Sequence, residues 1–258
     1  MESPLGPPRA VDLPLRTRAA ILLRMLAIQG SWNYETLVGN GVGFCVEPAL
    51  RRLPGGLGGE AYRAALARQS QYFNAHPYLA AVAVGALARA ELEGVDPAKI
   101  ERFRTAMCGP LGSVGDRLVW AAWLPLCALA ALVAFAVGAG PVGTVLAFLI
   151  SYNAGHLALR VWGMNVGWRE GLRVASALGH PVLRHGPLHL ARTGALVAGV
   201  ALPVVVHRLV GGGQLVQGEI LAAVLGGGFL VTRLQGRIEV WKWSLGLLAL
   251  FALYSVLR

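Results

Sequence analysis

The stretch Leu118–Gly138, LVWAAWLPLCALAALVAFAVG, decides the fold class because it is apolar throughout and carries no charged side chain. An α-helix rises about 1.5 Å per residue and a membrane span needs about 20 apolar residues, so this stretch is long enough to cross a bilayer. A turn at Gly140-Pro141 follows, and Val142–Trp162 is a second apolar run of similar length. The sequence therefore predicts two membrane-spanning helices joined by a short turn.

Further apolar runs extend the same pattern toward the C-terminus. The run Ile220–Thr232 is short and is interrupted by Gly226, Gly227 and Gly228. Only 14% of the residues are charged, whereas ordinary soluble domains carry about a quarter. These observations predict an all-α, polytopic membrane protein with a C-terminal transmembrane helix bundle. The other two apolar runs are Gly194–Val206 and Trp243–Leu257.

The net charge of +10 comes mainly from arginines that lie between the apolar runs. Nucleic-acid binders gather such cations on one soluble face, whereas basic residues between spans are typical of cytoplasmic loops. Arg117 precedes the first span and the basic stretch Arg160–Arg192 follows the second, so both are expected on the cytoplasmic side. The charge pattern predicts a cytoplasmic N-terminus, an external turn at Gly140-Pro141 and an external C-terminus.

The first half of the chain predicts amphipathic helices rather than membrane spans. Leu15–Gln29 has apolar residues at helical spacing with arginines between them, which favours a basic helix at the membrane surface or against a partner. Tyr78–Ala90 is apolar but too short to span, so it predicts a re-entrant or buried helix. Helices are also expected at Glu60–Phe73 and Glu91–Arg104. These predictions divide the chain into a disordered tail (1–14), an amphipathic and re-entrant helical region (15–117) and a transmembrane helical region (118–258).

The stretch Gly109–Asp116, GPLGSVGD, is the most informative motif outside the apolar runs. Gly109, Gly112 and Gly115 recur at a spacing of three, and Asp116 stands just before the first span. A glycine-broken segment at a membrane boundary can line a solvated cavity, where a carboxylate meets a polar ligand. The alternative is a loop in which Asp116 caps the helix that follows. The residues themselves leave both interpretations open.

Other short motifs have ordinary structural explanations. Ser31 is a candidate N-cap because its hydroxyl can accept a hydrogen bond from a helix start. Gly39–Gly43, GNGVG, has no strand before it, so it indicates flexible or tightly packed backbone rather than a dinucleotide-binding loop. Glu47 and Arg51 are four residues apart, so we expect them to pair on a helix surface.

The sequence contains no constellation that resembles a catalytic centre. His180, His185 and His189 lie close together, but their spacing and the prolines between them keep them off one helical face, which favours surface positions over a metal site. No nucleophile is accompanied by a base, so we predict a non-catalytic protein without a metal or cofactor. The cysteines form no CxxC pair and are expected to be small, buried thiols: Cys45, Cys108 and Cys127.

Five blocks of sequence occur in the same order, and with similar gaps, as in one family of membrane proteins. The chain resembles the IID component of mannose/fructose/sorbose-type sugar phosphotransferase systems over roughly residues 20–175. The last block resembles the family pattern through His156, Arg160, Gly163 and Gly167. The blocks are QGSWNYE at Gln29–Glu35, PALRRL at Pro48–Leu53, YFNAHPY at Tyr72–Tyr78, MCGPLGSVGD at Met107–Asp116, and Asn153–Gly171.

The resemblance implies a non-catalytic membrane subunit that pairs with a IIC subunit in the bacterial inner membrane. A hexose would bind in the IIC–IID assembly, cross the bilayer and receive a phosphoryl group from IIB. The soluble IIA and IIB components would carry that group on histidines, and the assembly would be a trimer of IIC–IID pairs. The resemblance also implies candidate residues for sugar binding or translocation, which are Trp32, Asn33, Glu35, Asn74, His76, Gly109, Gly112, Gly115 and Asp116.

Four positions depart from the family pattern. Ala122 and Leu124 stand where the family has Thr and Arg, and Arg117 is an addition after the aspartate. Glu47 stands where apolar residues are usual. An alternative hypothesis is therefore a IID-derived membrane scaffold or regulatory sensor that no longer transports sugar.

Overall fold

The computed structural model describes residues 12–210, which are mostly helical. Expectations for residues 1–11, for the glycine loop 211–213 and for the runs Ile220–Thr232 and Trp243–Leu257 lie outside the described residues. The helices are α1 (Leu15–Arg24), α2 (Gly39–Leu50), α3 (Glu60–Gln69), α4 (Ala80–Leu92), α5 (Pro97–Gly115), α6 (Leu124–Ala136), α7 (Pro141–Glu170) and α8 (Pro181–Val210), with a π-helical segment (Asp116–Trp123) and 3₁₀ turns at Met25–Ala27, Gly56–Gly58 and Gly171–Gly179.

The chain divides into two compact units, Met1–Ala198 and Gly199–Arg258. The first unit contains α1–α7 and most of α8, and it holds every residue discussed below. Of the second unit, residues 199–210 are described, and they are helical.

Helix α4 lies at the centre of the first unit and is buried over nearly its whole length. Its Ala, Val and Gly side chains are small, so α7 approaches it at backbone contact. A Cβ atom on Gly85 would collide with the carbonyl oxygen of Met164, and one on Gly167 would collide with that of Val82. The sequence predicted either a re-entrant or a buried helix for the apolar run Tyr78–Ala90, and the buried helix is confirmed.

The segments α5, π and α6 form one unbroken helix from Pro97 to Ala136. Asp96 caps the start of this helix, and its side chain accepts a hydrogen bond from the Ala98 N–H at 3.2 Å. The prediction of a break or loop at Gly109–Asp116 is therefore wrong, and so is the prediction that Asp116 caps a helix start. The glycines adopt helical backbone here, because their helical cost of about 1 kcal/mol each is small beside the packing of the long helix.

The hairpin predicted between the two apolar runs is confirmed. Helix α6 ends at Ala136, Gly138 adopts a positive φ of 98°, and Pro141 begins α7. By length and hydropathy, two helical stretches of the described chain qualify as membrane spans, Pro97–Ala136 and Pro141–Val174. The apolar side chains on α7 are substantially exposed, so this surface needs lipid or another subunit to cover it.

The predicted N-terminal amphipathic helix is also confirmed, as α1 and the 3₁₀ turn that follows it. Ile21 and Met25 are buried, whereas Leu15 and Leu23 on the other side are 80% and 68% exposed. This arrangement leaves an apolar and basic surface on the outside of α1, which suits a membrane surface or a partner.

Three boundaries differ from the sequence predictions. Ser31 begins no helix, because the chain there forms a turn and isolated β-bridges. Helix α3 ends at Gln69, since Phe73 is buried and its N–H donates instead to the Thr36 carbonyl oxygen. The helix expected at Glu91–Arg104 is divided by a turn, because Gly94 adopts a positive φ of 66°.

The pair predicted between Glu47 and Arg51 is confirmed, with their side chains 2.6 Å apart. Glu47 also contacts Arg24 of α1 at 2.6 Å and accepts a hydrogen bond from the Tyr62 hydroxyl of α3 at 2.9 Å. Burial raises the pKa of this carboxyl, but the hydrogen bonds from Arg51, Tyr62 and Arg24 outweigh burial and hold the pKa below its ordinary value. Glu47 therefore connects α1, α2 and α3, and its role is not limited to an ion pair on the surface of α2.

Candidate functional site

The segment that connects α3 to α4, Tyr72–Tyr78, is the place where most of the motif blocks meet. The Phe73 N–H and carbonyl oxygen bond to the Thr36 carbonyl oxygen and the Val38 N–H, each at 3.1 Å, next to the QGSWNYE block. The Asn74 N–H donates to the Cys108 sulfur at 3.5 Å, and the His76 N–H reaches the Met107–Asp116 block as well. We call this stretch the α3–α4 segment.

Arg104 of α5 holds the first end of the α3–α4 segment. It is buried, and its guanidinium donates to Gln69 Oε1 at 2.7 Å and to the Gln71 carbonyl oxygen at 2.8 Å. Gln69 in turn donates to Glu91 Oε1 at 2.6 Å, so a carboxylate stands behind the arginine. The Phe73 ring lies 5.1 Å from the guanidinium carbon. These bonds clamp the chain where α3 ends.

Arg160 of α7 lies at the other end, beneath Tyr78. The guanidinium carbon is 4.4 Å from the centre of the Tyr78 ring, which is cation–π distance. Its Nε donates to the Met25 carbonyl oxygen at 3.2 Å, and Nη1 lies 3.2 Å from Nδ1 of His156. Arg160 is only 5% exposed, yet it forms no salt bridge with any carboxylate of residues 12–210.

The side chains around Arg160 form a continuous aromatic group. The hydroxyl oxygens of Tyr78 and Tyr152 are 2.6 Å apart, and the ring of His156 is stacked on that of Tyr78 with centroids 5.0 Å apart. Trp120, on the π-helical segment, has its ring 6.1 Å from that of Tyr78. The Arg160 cluster comprises His76, Tyr78, Trp120, Tyr152, His156 and Arg160.

The hydrogen bonds around the two histidines assign their tautomers. An arginine can only donate, so Nδ1 of His156 accepts, and its Nε2–H donates to Asn153 Oδ1 at 2.8 Å. The Tyr78 N–H donates to Nδ1 of His76 at 3.2 Å, so His76 also carries its proton on Nε2. Both imidazoles are thereby neutral hydrogen-bond donors beside a buried positive charge.

His76 is the most enclosed polar side chain of the group. It is 2% exposed and lies between the rings of Tyr78 and Trp120, at 4.9 and 5.0 Å. Burial first, and the charge of Arg160 second, lower the pKa of His76 to about 4. Its Nε2 atom has no hydrogen-bond partner within the described chain. His76 is therefore a neutral donor whose buried Nε2–H is left without a partner among the described residues.

Asn33 shapes the turn that follows α1 rather than facing His76. Its Oδ1 accepts hydrogen bonds from the N–H groups of Glu35 and Thr36, both at 2.9 Å, and its amide donates to the Thr36 hydroxyl. This turn exposes Trp32, whose ring contacts Tyr34 edge-on at 4.9 Å, and it also leaves Glu35 exposed.

The glycines predicted as a close-approach motif differ in their surroundings. A Cβ on Gly115 would collide with the His76 side chain, whereas Cβ atoms on Gly109 and Gly112 would meet nothing within 4 Å. Asp116 is exposed on the π-helical segment. The structure therefore brings Gly115 and His76 together, and it leaves Asp116 outside that contact.

Sequence reasoning named His156 and Arg160 as motif residues but missed the cluster that they form. The i, i+4 spacing of Tyr152, His156 and Arg160 places all three on one face of α7, which was a usable signal. No local pattern connects them to Trp120, because that contact depends on how the π-helical segment packs.

No group of three His, Cys, Asp or Glu side chains within residues 12–210 has the arrangement of a metal site. The three cysteines are free, with Cys45 and Cys127 buried and Cys108 partly exposed. The arrangement around Arg160 offers π faces and neutral donors, which suit binding of a polar neutral molecule.

A family model described as "PTS system mannose/fructose/sorbose family IID component" matches residues 13–207. The mannose-specific EIID component of Escherichia coli (strain K12) is 33% identical over 203 residues, covering 73% of this chain and 70% of that protein. The fructose permease IID component of Bacillus subtilis (strain 168) is 30% identical over 203 residues, covering 74% and 72%. The sorbose-specific EIID component of Klebsiella pneumoniae is 32% identical over 188 residues, covering 70% and 66%.

Solved structures share the fold at lower sequence identity. One is a chain of the mannose transporter ManYZ in complex with microcin E492, with a TM-score of 0.57 and 23% identity, covering 95% of this chain and 97% of that one. Another, described as a membrane protein, has a TM-score of 0.66 and 24% identity, covering 95% and 98%.

Proposed function

The chain belongs to the mannose/fructose/sorbose family of IID components, which are membrane components of sugar phosphotransferase systems, and from this we propose that it pairs with a IIC subunit to translocate a hexose. In this proposal IIB phosphorylates the sugar as it reaches the cytoplasm, and the chain itself is not catalytic. The membrane is the bacterial inner membrane, and the chain crosses it several times with its N-terminus inside. A trimer of IIC–IID pairs is the proposed assembly.

The observation that carries this proposal is the meeting of separate motif blocks at the α3–α4 segment. Blocks far apart in sequence converge on the seven residues Tyr72–Tyr78, which include the buried, neutral His76 and end at Tyr78, whose ring lies over the buried Arg160. Ionisable groups in a membrane protein are costly and mark substrate paths or the interfaces around them. The exposed apolar surface of α7 supports a second membrane subunit beside it.

The chemistry of the Arg160 cluster suits a sugar. Aromatic faces pack against the C–H surface of a pyranose, while neutral donors exchange hydrogen bonds with its hydroxyl groups. Trp120 is 41% exposed and lies beside His76, whose Nε2–H is buried and has no hydrogen-bond partner among the described residues. Within residues 12–210, the hydrogen-bond partners of the two imidazoles are the Tyr78 N–H, Asn153 and Arg160, which suit binding and orienting a sugar.

The other candidate residues have separate proposed roles. Asn33 holds the turn that presents Trp32 and Glu35, and Asn74 is exposed at the α3–α4 segment. Gly109 and Asp116 are exposed, and Gly112 half-buried, on the helix that begins at Pro97. We propose that this surface faces the IIC subunit or the hydrated sugar path, because an exposed carboxylate beside an apolar span requires a polar neighbour.

A cell uptake assay tests the proposal. Cells that lack their own mannose-type permease receive this chain with its IIC, IIA and IIB partners, and uptake of labelled hexoses is compared with cells that lack only this chain. The proposal expects uptake that depends on the chain and a IIC–IID complex that co-elutes as one species. Uptake that is unchanged when the chain is omitted would contradict it.

Asp116→Asn separates charge from shape at the proposed interface. We expect uptake per assembled complex to fall while assembly is retained, because the substitution preserves size but removes the charge. Glu60→Gln, at an exposed acid in the first turn of α3, is the matched control and should transport normally. Normal transport by Asp116→Asn would show that this charge has no part in translocation.

The alternative function is a membrane scaffold or regulatory sensor. Ala122, which stands where the family has a hydroxyl, is buried within the first unit, so a polar group is absent from that buried position. Assembly with IIC without uptake of any hexose would favour this alternative.

A further inference from the structure

We propose that the chain binds one anionic phospholipid, with the headgroup between Arg117 and Arg184 and an acyl chain in the apolar cavity beside them. The site lies between the π-helical segment, α7 and the first turns of α8, all within the first compact unit. It is separate from the Arg160 cluster, and no step of sugar translocation is assigned to it.

The acyl chain would occupy a cavity of about 380 Å³. Its walls are almost entirely apolar, although His180 is among the residues that line it, and the small residues Gly155 and Ala158 on α7 leave the space open. An apolar cavity of this size favours a hydrocarbon over water, because water would find few polar partners there. The larger apolar residues that line it are Leu118, Trp123, Leu159, Trp162, Leu183 and Leu190.

The headgroup would lie in a second cavity of about 590 Å³, which Arg117 and Arg184 line. Within residues 12–210 no carboxylate lines this cavity, and neither arginine forms a salt bridge there. The Nε of Arg117 donates to the Ser113 carbonyl oxygen at 3.2 Å, which holds the side chain while its terminal NH₂ groups remain for a ligand. Two arginines without a carboxylate attract an anion, and guanidinium groups suit phosphate oxygens in particular.

The two cavities lie side by side because Leu183 lines both of them. Two pairs of sequence neighbours face this boundary: Arg117 and Leu118 on the π-helical segment, and Leu183 and Arg184 on α8. In each pair the arginine lines the basic cavity and the leucine lines the apolar one. One molecule with an anionic head and a hydrocarbon tail would therefore satisfy both cavities.

Charge and location favour a phospholipid over a soluble anion or a neutral lipid. A soluble phosphate would leave the apolar cavity empty, and a zwitterionic headgroup would bring its own cation against the two arginines. The charge rule predicts that both arginines lie on the cytoplasmic side, where basic pockets between membrane helices bind anionic headgroups. Arg117 is an addition relative to the family pattern, so the site would be a property of this chain rather than of all its relatives.

Lipid binding to the full chain, purified in mild detergent, tests the proposal. Native mass spectrometry counts bound lipid, and the thermal midpoint is measured with phosphatidylglycerol, with phosphatidylcholine of identical acyl chains, and with inorganic phosphate alone. We expect one phosphatidylglycerol bound and a midpoint raised more by this lipid than by phosphatidylcholine, with no effect of phosphate. Equal stabilisation by both lipids, or stabilisation by phosphate alone, would overturn the proposal.

Variants locate the binding site. Arg117→Gln and Arg184→Gln should each weaken phosphatidylglycerol binding about fivefold, as expected for the loss of one cation near an anionic lipid. Arg16→Gln and Arg102→Gln remove the same charge from exposed positions that line neither cavity, and they should bind as the parent does. Equal losses in these controls would show that net charge, and not this site, attracts the lipid.

A cavity-filling variant tests the acyl chain separately. Ala158→Phe places a ring in the apolar cavity and should lower the number of bound lipids, while the thermal midpoint without lipid reports whether the variant folds. Ala158→Leu, with a smaller side chain, provides the same test if the phenylalanine prevents folding. Undiminished lipid binding by a folded cavity-filled variant would contradict the placement of the chain.

Discussion

The two buried arginines at the ends of the α3–α4 segment differ in what surrounds them. Arg104 and Arg160 are 3% and 5% exposed, and neither forms a salt bridge with the described residues. Arg104 donates to the side chain of Gln69 and to the backbone carbonyl oxygens of Gln69, Gln71 and Tyr72. Arg160 has one carbonyl oxygen, one imidazole nitrogen and the face of Tyr78.

This difference indicates a structural role for Arg104 and a functional role for Arg160. Oxygen acceptors in fixed backbone positions bind a guanidinium strongly but in a single geometry. A tyrosine face and a neutral imidazole compensate a buried charge less completely, and their side chains can rotate. The Arg104 surroundings therefore suit a fixed joint between α3 and α5, whereas the Arg160 cluster suits a site whose groups exchange partners when a sugar binds.

The largest expected effect is on folding, from Arg104→Met. Removing the guanidinium leaves the buried carbonyl and side-chain oxygens of Gln69 without this donor, at about 1–3 kcal/mol for each group, and it also removes the part-buried bonds to the carbonyl oxygens of Gln71 and Tyr72. We expect little folded protein, whereas Arg160→Met, which orphans fewer acceptors, should still accumulate. The yield and thermal midpoint of the two variants measure the contrast. A larger loss of yield and thermal midpoint in Arg160→Met than in Arg104→Met would contradict the structural role assigned to Arg104.

The next largest effect is on transport, from Arg160→Lys. A lysine keeps the charge but loses the planar fork that reaches His156 and the Met25 carbonyl oxygen together. We expect uptake per assembled complex to fall by about tenfold, equivalent to roughly 1.4 kcal/mol, with a smaller change in stability. Arg104→Lys is the matched variant and should lose stability before transport per complex. Parent-like uptake by Arg160→Lys would remove the arginine from the sugar path.

A smaller effect is expected from the glycines beside the segment. Gly115→Ala should destabilise by about 1–3 kcal/mol because the new methyl group collides with His76. Gly112→Ala has open space and should stabilise the helix by up to about 1 kcal/mol. Thermal midpoints compare the two. If Gly112→Ala nevertheless loses uptake, Gly112 has a role in transport that packing does not explain.

The smallest expected effect comes from Glu47, the carboxylate that pairs with Arg24 and Arg51. Because the folded-state pKa of Glu47 lies below its unfolded value, its contribution is present above the unfolded pKa, near 4.5, and is lost as the pH falls through the folded value. We expect Glu47→Gln to lower stability by about 1–2 kcal/mol at pH 7 and less at pH 3. Denaturation at both pH values measures this, and a constant difference would contradict the ionised pairing.

The sequence alone determined the helical class, the hairpin of apolar helices and the family. Hydropathy and span length are properties of a single stretch of chain, and the α6–α7 turn is signalled by its own Gly and Pro. The motif blocks identified the family for the same reason, since their order and residues can be read without knowing any contact. The pair Glu47–Arg51 was likewise a local prediction, and the structure confirmed it.

The tertiary structure alone decided how the helix through Gly109–Asp116 runs and which residues surround Arg160. Glycine spacing predicted a break, yet the helix continues, because the packing of a long helix outweighs about 1 kcal/mol per glycine. Position 115 requires a glycine because a Cβ atom there would collide with the side chain of His76, which comes from a separate block of sequence. Contacts between Tyr78, Trp120 and His156 likewise join three elements, and no local pattern contains the distances between elements.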